Sequence, residues 1–543
     1  MLFDRRPPTR LVFSVLTQVV VVLLVLAACT TESTPQSTSS PATSVAEAAT
    51  TSLPPVQATT TTTAEALAAH LWVDSPMEVL LETRAWTNNV ELADLDGDGD
   101  IDILFSDGGN YDVAGTPLAN QVLINDGAGG FEDRSTEILG ETGDIARVIK
   151  VRDVNGDELV DVFIGTTFQT QSRLFLNRGN LVFEEVTAAH LPAVDLSVGD
   201  AEFGDVDADG DLDLVLADWG PGNPSGNDGG RTQLWLNDGE GVFISATESQ
   251  MPGLLVRFSW ELEFVDSDGD YDLDLAVSCK RCSGSLLFEN DGNGTFVDIT
   301  EGSMPQYGNN YEFEVMDVNG DGLQDLATIN DGPSFTERLF LGTEAGGFDD
   351  ATSALWPDEA NIGVDDNQVV FLDFDSDGDS DFLIASLNSS DRLMLNDGTG
   401  NLTLRQDDVI SQDGSSPTLG VATSDLNGDG RWDLVFAEGE PAVPNRVLFG
   451  STVAADTSPP VVEGLTIIDG WLHVRVHDRK TPVIPTDWQR VFMEGPQAEA
   501  DLVWYGEALW RAEVGGPGEY RVCAIDRAGN EFCTEPVTVG DSG

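Results

Sequence analysis

The feature that most constrains the fold of this chain is an acidic nine-residue pattern that occurs seven times. The pattern D-x-[DN]-x-D-x-x-x-D starts at Asp94, Asp153, Asp205, Asp266, Asp317, Asp373 and Asp425. Successive copies begin 59, 52, 61, 51, 56 and 52 residues apart. A near-constant period of this length is typical of an array in which each repeat is one supersecondary unit that packs against its neighbours.

Each copy lies in the same local frame. A stretch with strand-like alternation precedes it, such as VELAD or IKVRD, and an apolar run such as ILF or VFI follows its last Asp. The pattern therefore predicts a loop between two strands. A third strand and a turn come later, as in QLWLNDGEGVF, where the Asn-Asp-Gly favours a hairpin and the Phe begins a fourth strand.

Four strands in about 55 residues, repeated along the chain, predict the blades of a β-propeller. We therefore expect an all-β fold in which residues 71–452 form a seven-bladed propeller. The seventh copy ends at Gly450 without a Phe-led fourth strand, whereas residues 77–83 precede the first copy without a third strand of their own. The N-terminal segment is thus expected to complete the last blade and close the ring.

The seven loops and their strands resemble FG-GAP and VCBS repeats, like those of the propellers of integrin α-subunits, over about residues 75–452. In that family the loop is a calcium-binding β-hairpin loop. The resemblance implies a calcium-loaded scaffold more than an activity.

The acidic side chains of each loop favour a bound cation. Carboxylates about 4 Å apart repel by roughly 4 kcal/mol for each pair at an effective dielectric constant of about 20, so the loop must splay, protonate or bind a cation. A donor set made only of oxygen suits Ca²⁺ better than Mg²⁺ or Zn²⁺. We expect up to seven structural Ca²⁺ sites, with a backbone carbonyl at position 7 and side chains at positions 1, 3, 5 and 9. These side chains are Asp94, Asp96, Asp98 and Asp102; Asp153, Asn155, Asp157 and Asp161; Asp205, Asp207, Asp209 and Asp213; Asp266, Asp268, Asp270 and Asp274; Asp317, Asn319, Asp321 and Asp325; Asp373, Asp375, Asp377 and Asp381; and Asp425, Asn427, Asp429 and Asp433.

An EF-hand interpretation fails, because that loop needs a Glu at position 12. The residues at that position are Phe105, Ile164, Leu216, Val277, Thr328, Ile384 and Phe436. Position 6 is Gly in five copies, as a positive φ favours, but it is Glu158 in the second and Tyr271 in the fourth. Those two sites are expected to be weak or distorted. The loops are expected to fix the hairpins, with no role in recognition.

The repeat ends at Gly450, and the TSPP at residues 457–460 marks a domain boundary. Alternating segments over residues 457–543 predict a small β-sandwich, and the last hairpin resembles the closing strands of bacterial immunoglobulin-like domains. Cys523 and Cys533 lie symmetrically about a turn and are expected to form a cross-strand disulfide. Cys279 and Cys282 form a lone CxxC, for which we expect a local disulfide instead of zinc or thioredoxin-like chemistry.

Aromatic residues and histidines of this C-terminal segment leave two alternatives open. Trp471, Trp488, Trp504, Tyr505 and Trp510 are assigned to the core of the sandwich, with a carbohydrate-stacking platform as the alternative. His473 and His477 lie on one face of a predicted strand, an arrangement that can bind a metal, but no third metal ligand is in view.

The first 29 residues predict an export signal. Basic residues precede an apolar run, and Leu26-Ala27-Ala28-Cys29 resembles a bacterial lipobox, which implies cleavage before Cys29 and lipidation of its thiol. An uncleaved anchor helix is the alternative, although the run falls short of the roughly 20 residues that span a bilayer. Residues 30–70 are rich in Ser, Thr and Pro and predict a disordered tether. The chain is therefore expected to be extracytoplasmic and lipid-anchored to the bacterial cell envelope, at the outer membrane or cell surface.

The net charge restricts the partners. With 95 Asp and Glu against 26 Lys and Arg, the formal charge is −69, which repels nucleic acid; adaptation to salt is another source of this acidity. No nucleophile and base converge in the sequence, so we expect no enzyme but a monomeric binding or adhesion module for a glycan or surface protein. Contact residues are expected in the insertions at residues 107–115 and 218–230. A polysaccharide lyase or hydrolase and a structural surface spacer are the alternatives.

Overall fold

The computed structural model describes residues 70–75, 80, 86–332, 334–405, 417–439 and 443–540. The predicted signal sequence, Cys29 and all but the last residue of the predicted tether lie outside these ranges. We call the seven acidic copies loops 1 to 7, which are residues 94–102, 153–161, 205–213, 266–274, 317–325, 373–381 and 425–433.

Residues 86–405 form six four-stranded antiparallel sheets, each built from consecutive strands. Their strands are β2 (Trp86–Ala93), β3 (Asp102–Gly108), β4 (Gln121–Asn125) and β5 (Phe131–Asp133); β6 (Ala146–Arg152), β7 (Asp161–Thr166), β8 (Arg173–Asn177) and β9 (Phe183–Glu185); β10 (Val198–Gly204), β11 (Asp213–Asp218), β12 (Gln233–Leu236) and β13 (Ile244–Ser245); β14 (Leu262–Val265), β15 (Asp274–Val277), β16 (Leu286–Asn290) and β17 (Phe296–Asp298); β18 (Asn310–Met316), β19 (Asp325–Asn330), β20 (Arg338–Gly342) and β21 (Phe348–Asp350); and β22 (Asp366–Leu372), β23 (Asp381–Ser386), β24 (Arg392–Leu395) and β25 (Thr403–Arg405).

A seventh sheet combines the two ends of the repeat region. It contains β26 (Thr418–Ser424), β27 (Asp433–Glu438), β28 (Arg446–Gly450) and, at its outer edge, β1 (Trp72–Asp74). The strand β1 pairs antiparallel with β28, with Trp72 opposite Gly450. The N-terminal strand that completes this sheet therefore lies upstream of residues 77–83, of which only Leu80 is described. The buried Trp72 holds β1 in this sheet, because its indole N–H donates to the Trp432 carbonyl at 2.7 Å.

The first strand of each sheet packs against the first strand of the next, and β26 packs in turn against β2. The hydrophobic cores lie between adjacent sheets, so the first and second strands are almost fully buried. The second strands read as apolar runs, whereas the first strands alternate apolar residues with buried polar ones. Repeated four-stranded sheets with this packing are an all-β, propeller-like architecture. Each acidic loop connects the first and second strands of its sheet, so all seven lie at the same end of the array.

Residues 461–539 form two further antiparallel sheets, which we call the sandwich. One contains β29 (Val461–Ile468), β30 (Trp471–His477), β34 (Leu509–Glu513) and β33 (Val503–Gly506). The other contains β32 (Glu499–Asp501), β31 (Trp488–Glu494), β35 (Gly518–Asp526) and β36 (Glu531–Cys533), with β37 (Val537–Val539) pairing to β35. Their inner faces share one core, which includes Val474, Met493 and Val522.

Short helical turns follow the fourth strands of the first five sheets. They are α1 (Ser135–Leu139), α2 (Thr187–His190), α3 (Thr247–Gln250), α4 (Thr300–Ser303) and α5 (Thr352–Leu355), and a 3₁₀ turn covers Pro485–Asp487 in the sandwich. None of the helices in the described part of the chain has the length and apolarity needed to span a membrane.

Candidate metal centres

The first Asp of each loop organises the turn through its own backbone. In loop 1 the Asp94 carboxylate accepts hydrogen bonds from the N–H groups of Gly97 (2.8 Å), Asp98 (3.2 Å) and Gly99 (2.9 Å). Loop 5 repeats this set on Asp317. Because these partners lie three to five residues ahead, the spacing of the motif is enough to form the turn.

Position 6 adopts a left-handed backbone in every loop. The five glycines there have φ between 78° and 104°, and Glu158 and Tyr271 have φ of 68° and 70°. The Glu158 N–H also donates to the first Asp of its loop, Asp153, at 2.8 Å. The backbone of loops 2 and 4 is therefore not distorted by the larger side chains, although these residues bear the strain that glycine avoids.

The Asp at position 9 begins the second strand and bridges to the third. Asp102 accepts the Leu95 N–H and the Asn125 N–H, both at 2.8 Å, and Asp325 accepts the Val318 N–H at 3.0 Å and the Gly342 N–H at 2.8 Å. This residue thus has an architectural role that the ligand prediction did not include: it fixes the loop to the end of the third strand.

In loops 1, 3 and 4, carboxylate oxygens of three predicted ligands lie within 4.8 Å of one another. The groups are Asp94, Asp96 and Asp102; Asp205, Asp207 and Asp213; and Asp266, Asp268 and Asp270. Positions 1, 3 and 9 therefore meet in loops 1 and 3, and positions 1, 3 and 5 meet in loop 4. The other predicted ligands occupy the same positions of equivalent turns between first and second strands.

The carboxyls at position 9 are costly to ionise where they lie. Burial, added to by neighbouring carboxylates, raises the pKa of Asp102, Asp161, Asp274 and Asp433 to about 7, of Asp213 and Asp325 to about 8, and of Asp381 to about 9. A nearby cation favours the ionised form of such groups. The loops therefore have an electrostatic need that a divalent ion would satisfy.

Unpaired oxygens show that the residues fit a hard cation. Asp205 Oδ1, Asn319 Oδ1 and Asp381 Oδ2 are buried and have no hydrogen-bond partner in the protein, although native proteins pair nearly all such atoms. All three are predicted ligand atoms, and the donor set is oxygen only, as Ca²⁺ prefers. In loop 3, Asp205, Asp207 and Asp213 would hold the ion.

Arginines of the sandwich contact the acidic loops directly, which the sequence analysis missed. Arg511 pairs with Asp205 in loop 3, and Arg475 pairs with Asp266 in loop 4 at 2.5 Å. In loop 1, the guanidinium group of Arg527 donates to the Gly99 carbonyl at 2.7 Å. The sandwich is therefore docked on the loop end of the sheets by charge-assisted hydrogen bonds. Six arginines after residue 457, in a chain with 26 basic residues, were the available signal.

Asparagines at the ends of third strands link each sheet to the loop before it. Asn177 donates to the Leu95 carbonyl of loop 1 at 3.1 Å, and Asn237 donates to the Val154 carbonyl of loop 2 at 2.8 Å. Asn125 of the first sheet donates to the Leu426 carbonyl of loop 7 at 2.8 Å. Turn chemistry accounts for these asparagines in the sequence, but their amides also connect neighbouring sheets.

The two long insertions lie at the opposite end from the loops, because they join second to third strands. Trp219 is fully buried among Phe258 and Trp260, and Asn223 donates to the Asp112 carbonyl at 3.1 Å. The insertions at residues 107–115 and 218–230 therefore contact each other, and Trp219 of the second is part of the core. That these insertions supply contact residues for a ligand stays a prediction.

The four cysteines of the described region form two bonds. Cys523 is bonded to Cys533, its direct partner across β35 and β36, and Cys279 is bonded to Cys282. Of the histidines in β30, His473 lies 3.2 Å from the Tyr505 hydroxyl, and its ring centroid is 5.7 Å from that of Tyr271 in loop 4. Burial lowers the pKa of His477 to about 3.

These features define an all-β, propeller-like repeat protein with an acidic loop in every repeat. The FG-GAP-like repeat model matches residues 94–164, 153–216, 278–328, 317–384 and 373–436, which together span just over half of the chain. The chain belongs to the FG-GAP-like repeat family. No curated protein matches it.

Solved structures that are similar to this chain are distant in sequence. BBS1N, in complex with ARL6DN and soaked with lead, is 11% identical, with 71% of this chain and 98% of that chain covered and a TM-score of 0.44. A protein from Lactobacillus plantarum is 14% identical, with coverages of 61% and 86% and a TM-score of 0.37. The V. cholerae biofilm matrix protein Bap1 is 14% identical, with coverages of 87% and 76% and a TM-score of 0.32.

Proposed function

We propose that this protein is a calcium-stabilised, non-catalytic adhesion module of the bacterial cell envelope. A lipid anchor on Cys29 and the tether over residues 30–70 would hold it outside the cytoplasm as a monomer. In this proposal residues 71–452 are a closed, seven-bladed propeller, and residues 457–543 are an Ig-like sandwich. Together they bind a glycan or a surface protein.

The observation that carries the proposal is the state of the loop carboxylates. Asp205 Oδ1 is buried without a partner beside Asp207 and Asp213, and the pKa of Asp213 is raised to about 8 by burial. Calcium at each loop would offset this unfavourable burial and fix the turn between two strands. An ion present at a hundred times its Kd adds about 2.7 kcal/mol to the free energy of unfolding for each site.

Contacts around the array support ring closure. The Asn125 amide connects the first sheet to loop 7, as Asn177 and Asn237 connect later sheets to the loops before them, and β26 packs against β2. Rigid blades would then hold the sandwich and the far-end insertions in fixed positions for binding. We assign no catalytic step to the loops, because a nearly identical loop occurs in every repeat and its residues stabilise the turn between two strands.

The test is thermal unfolding of the full chain with 2 mM calcium and with excess chelator, together with the metal content of the purified protein. We expect about seven calcium ions per chain and a large fall in Tm on chelation. Absence of bound metal and an unchanged Tm would refute the calcium part of the proposal, and the acidity would then reflect adaptation to salt.

A matched pair of variants assigns the metal to the loops. D96N/D98N removes two predicted ligands of loop 1 and is expected to lower the metal content by one ion. E344Q/D349N removes the same charge from exposed positions outside every loop and is expected to leave it unchanged. Equal metal loss in both variants would show nonspecific binding to an acidic surface.

A further inference from the structure

A large cleft lies between the loop end of the sheets and the sandwich. Its volume is about 880 Å³, and loops 1, 2 and 3 form one wall while Trp488, Trp504 and Trp510 form the other. Sites for small-molecule ligands have volumes of about 300–1,000 Å³. The lining includes exposed residues, Gln489 and Val503, as well as buried ones, so the cleft reaches the surface.

The tryptophans present aromatic surface in two orientations. The rings of Trp488 and Trp510 are perpendicular, with centroids 6.2 Å apart, and the Arg152 guanidinium lies 5.5 Å from the Trp504 ring centroid. The Trp504 indole is fixed because its N–H donates to the Glu507 carbonyl at 2.6 Å. Trp504 and Trp510 also belong to the sandwich core, so the wall is rigid. The same residues thus serve the core and line the cleft.

Polar side chains that reach solvent line the same cleft. Glu158 and Gln489 are exposed, and Asp211 is half-buried. A ligand that offered only apolar surface would leave these groups without partners, whereas one with hydroxyl groups along an apolar face would pair with them.

We propose that this cleft binds a short neutral oligosaccharide, a proposal that rests on the function as an adhesion module. Sugar rings carry apolar C–H faces that stack on indoles, and hydroxyls that pair with carboxylates and amides. Glu158 and Asp211 line the cleft and are not predicted ligand side chains, so in the calcium-loaded chain they remain able to repel anionic ligands and to accept hydrogen bonds from sugar hydroxyls. The charge of the cleft therefore selects neutral sugars over uronic acids and nucleic acids.

The test is titration of the calcium-loaded full chain with five neutral hexasaccharides: those of cellulose, amylose, mannan, xylan and chitin. Binding is followed by tryptophan fluorescence and isothermal calorimetry. At least one sugar is expected to bind and change the fluorescence. W488A is expected to weaken that binding at least about tenfold.

The control is W471A, because Trp471 is an exposed tryptophan of the same sandwich that does not line the cleft. It is expected to bind the sugar as wild type does. W488F replaces W488A if the latter melts at a lower temperature. The inference is overturned if none of the five sugars binds, or if W488A binds unchanged; the adhesion proposal survives the second result. Sugar binding that depends on Trp488 in a metal-free chain would support the inference and show that binding does not require calcium.

Discussion

Replacing Arg511 by methionine tests how the sandwich is attached to the acidic loops. The Arg511 guanidinium pairs with Asp205 of loop 3, and the two side chains are only 9% and 2% exposed. Methionine keeps much of the apolar stem that packs at the interface but removes the charge. The Asp205 carboxylate would remain buried without its cation. Arg511 already opposes the effect of burial on the pKa of Asp205, which is raised to about 6.

Removing one partner of a buried ion pair costs about 3–5 kcal/mol. Unfolding entropy is about 2.1 cal/mol/K per residue, so for the compact unit of residues 66–543 this corresponds to a fall in Tm of about 3–5 °C. We expect that fall in chelator. In saturating calcium the ion would take over the charge compensation of Asp205, and the fall should shrink by more than half.

The assay is differential scanning calorimetry of wild type, R511M and R490M, each with calcium and with chelator. Arg490 lies in the same sandwich and pairs with Glu499 and Asp501 at exposed positions, so R490M should leave Tm unchanged. The reasoning fails if R511M melts like R490M in chelator. An equal loss for R511M in both conditions would place calcium away from Asp205.

Three further outcomes are expected. In chelator, D325N should lose about 2–3 kcal/mol of unfolding free energy, because the N–H group of Val318 or of Gly342 then faces the NH₂ of an amide. D321N, at an exposed position, should lose only calcium affinity. Urea unfolding measures the first effect, and metal titration measures the second. C523S/C533S should destabilise the sandwich by about 2–3 kcal/mol, measured by non-reducing urea unfolding, and leave the metal content unchanged. The pKa of His477 is lowered by burial from 6.5 to about 3, so its neutral form stabilises the fold above pH 6.5 and this stability is lost as pH falls towards 3. The decrease in unfolding free energy from pH 7 to pH 5 should therefore be about 2 kcal/mol smaller in H477Q than in wild type.

The loops and their strands were predictable because their determinants are local. Asp94 organises loop 1 through N–H groups three to five residues ahead, and alternation or apolar runs mark the strands on either side. The family match to five repeat segments agrees with the repeat assignment. Position 6 shows the limit of this reasoning: Tyr271 suggested distortion, yet its backbone is left-handed as in the glycine loops, and its hydroxyl donates to the Gly464 carbonyl of the sandwich.

The cleft was not predictable in the same way. The aromatic residues of the C-terminal segment were assigned to the core, and Trp504 and Trp510 do belong to it, whereas the alternative of a sugar-stacking platform stays a prediction. Nothing in their spacing shows that the guanidinium group of Arg152, more than 300 residues earlier, would lie beside the Trp504 ring. Side-chain packing between two separate sets of sheets decides that neighbourhood.

By itself the sequence determined the number of repeats, the four-stranded unit, the position of every acidic loop and the pairing of Cys523 with Cys533 across a hairpin. These properties follow from hydrogen bonds and apolar periodicity within a few tens of residues. Only the tertiary structure decided that the sandwich docks on the acidic loops through Arg475 and Arg511, and that a cleft remains beside them. The Arg511 contact joins residues 306 positions apart, and it forms because burial at the interface brings an otherwise unpaired carboxylate and a guanidinium together.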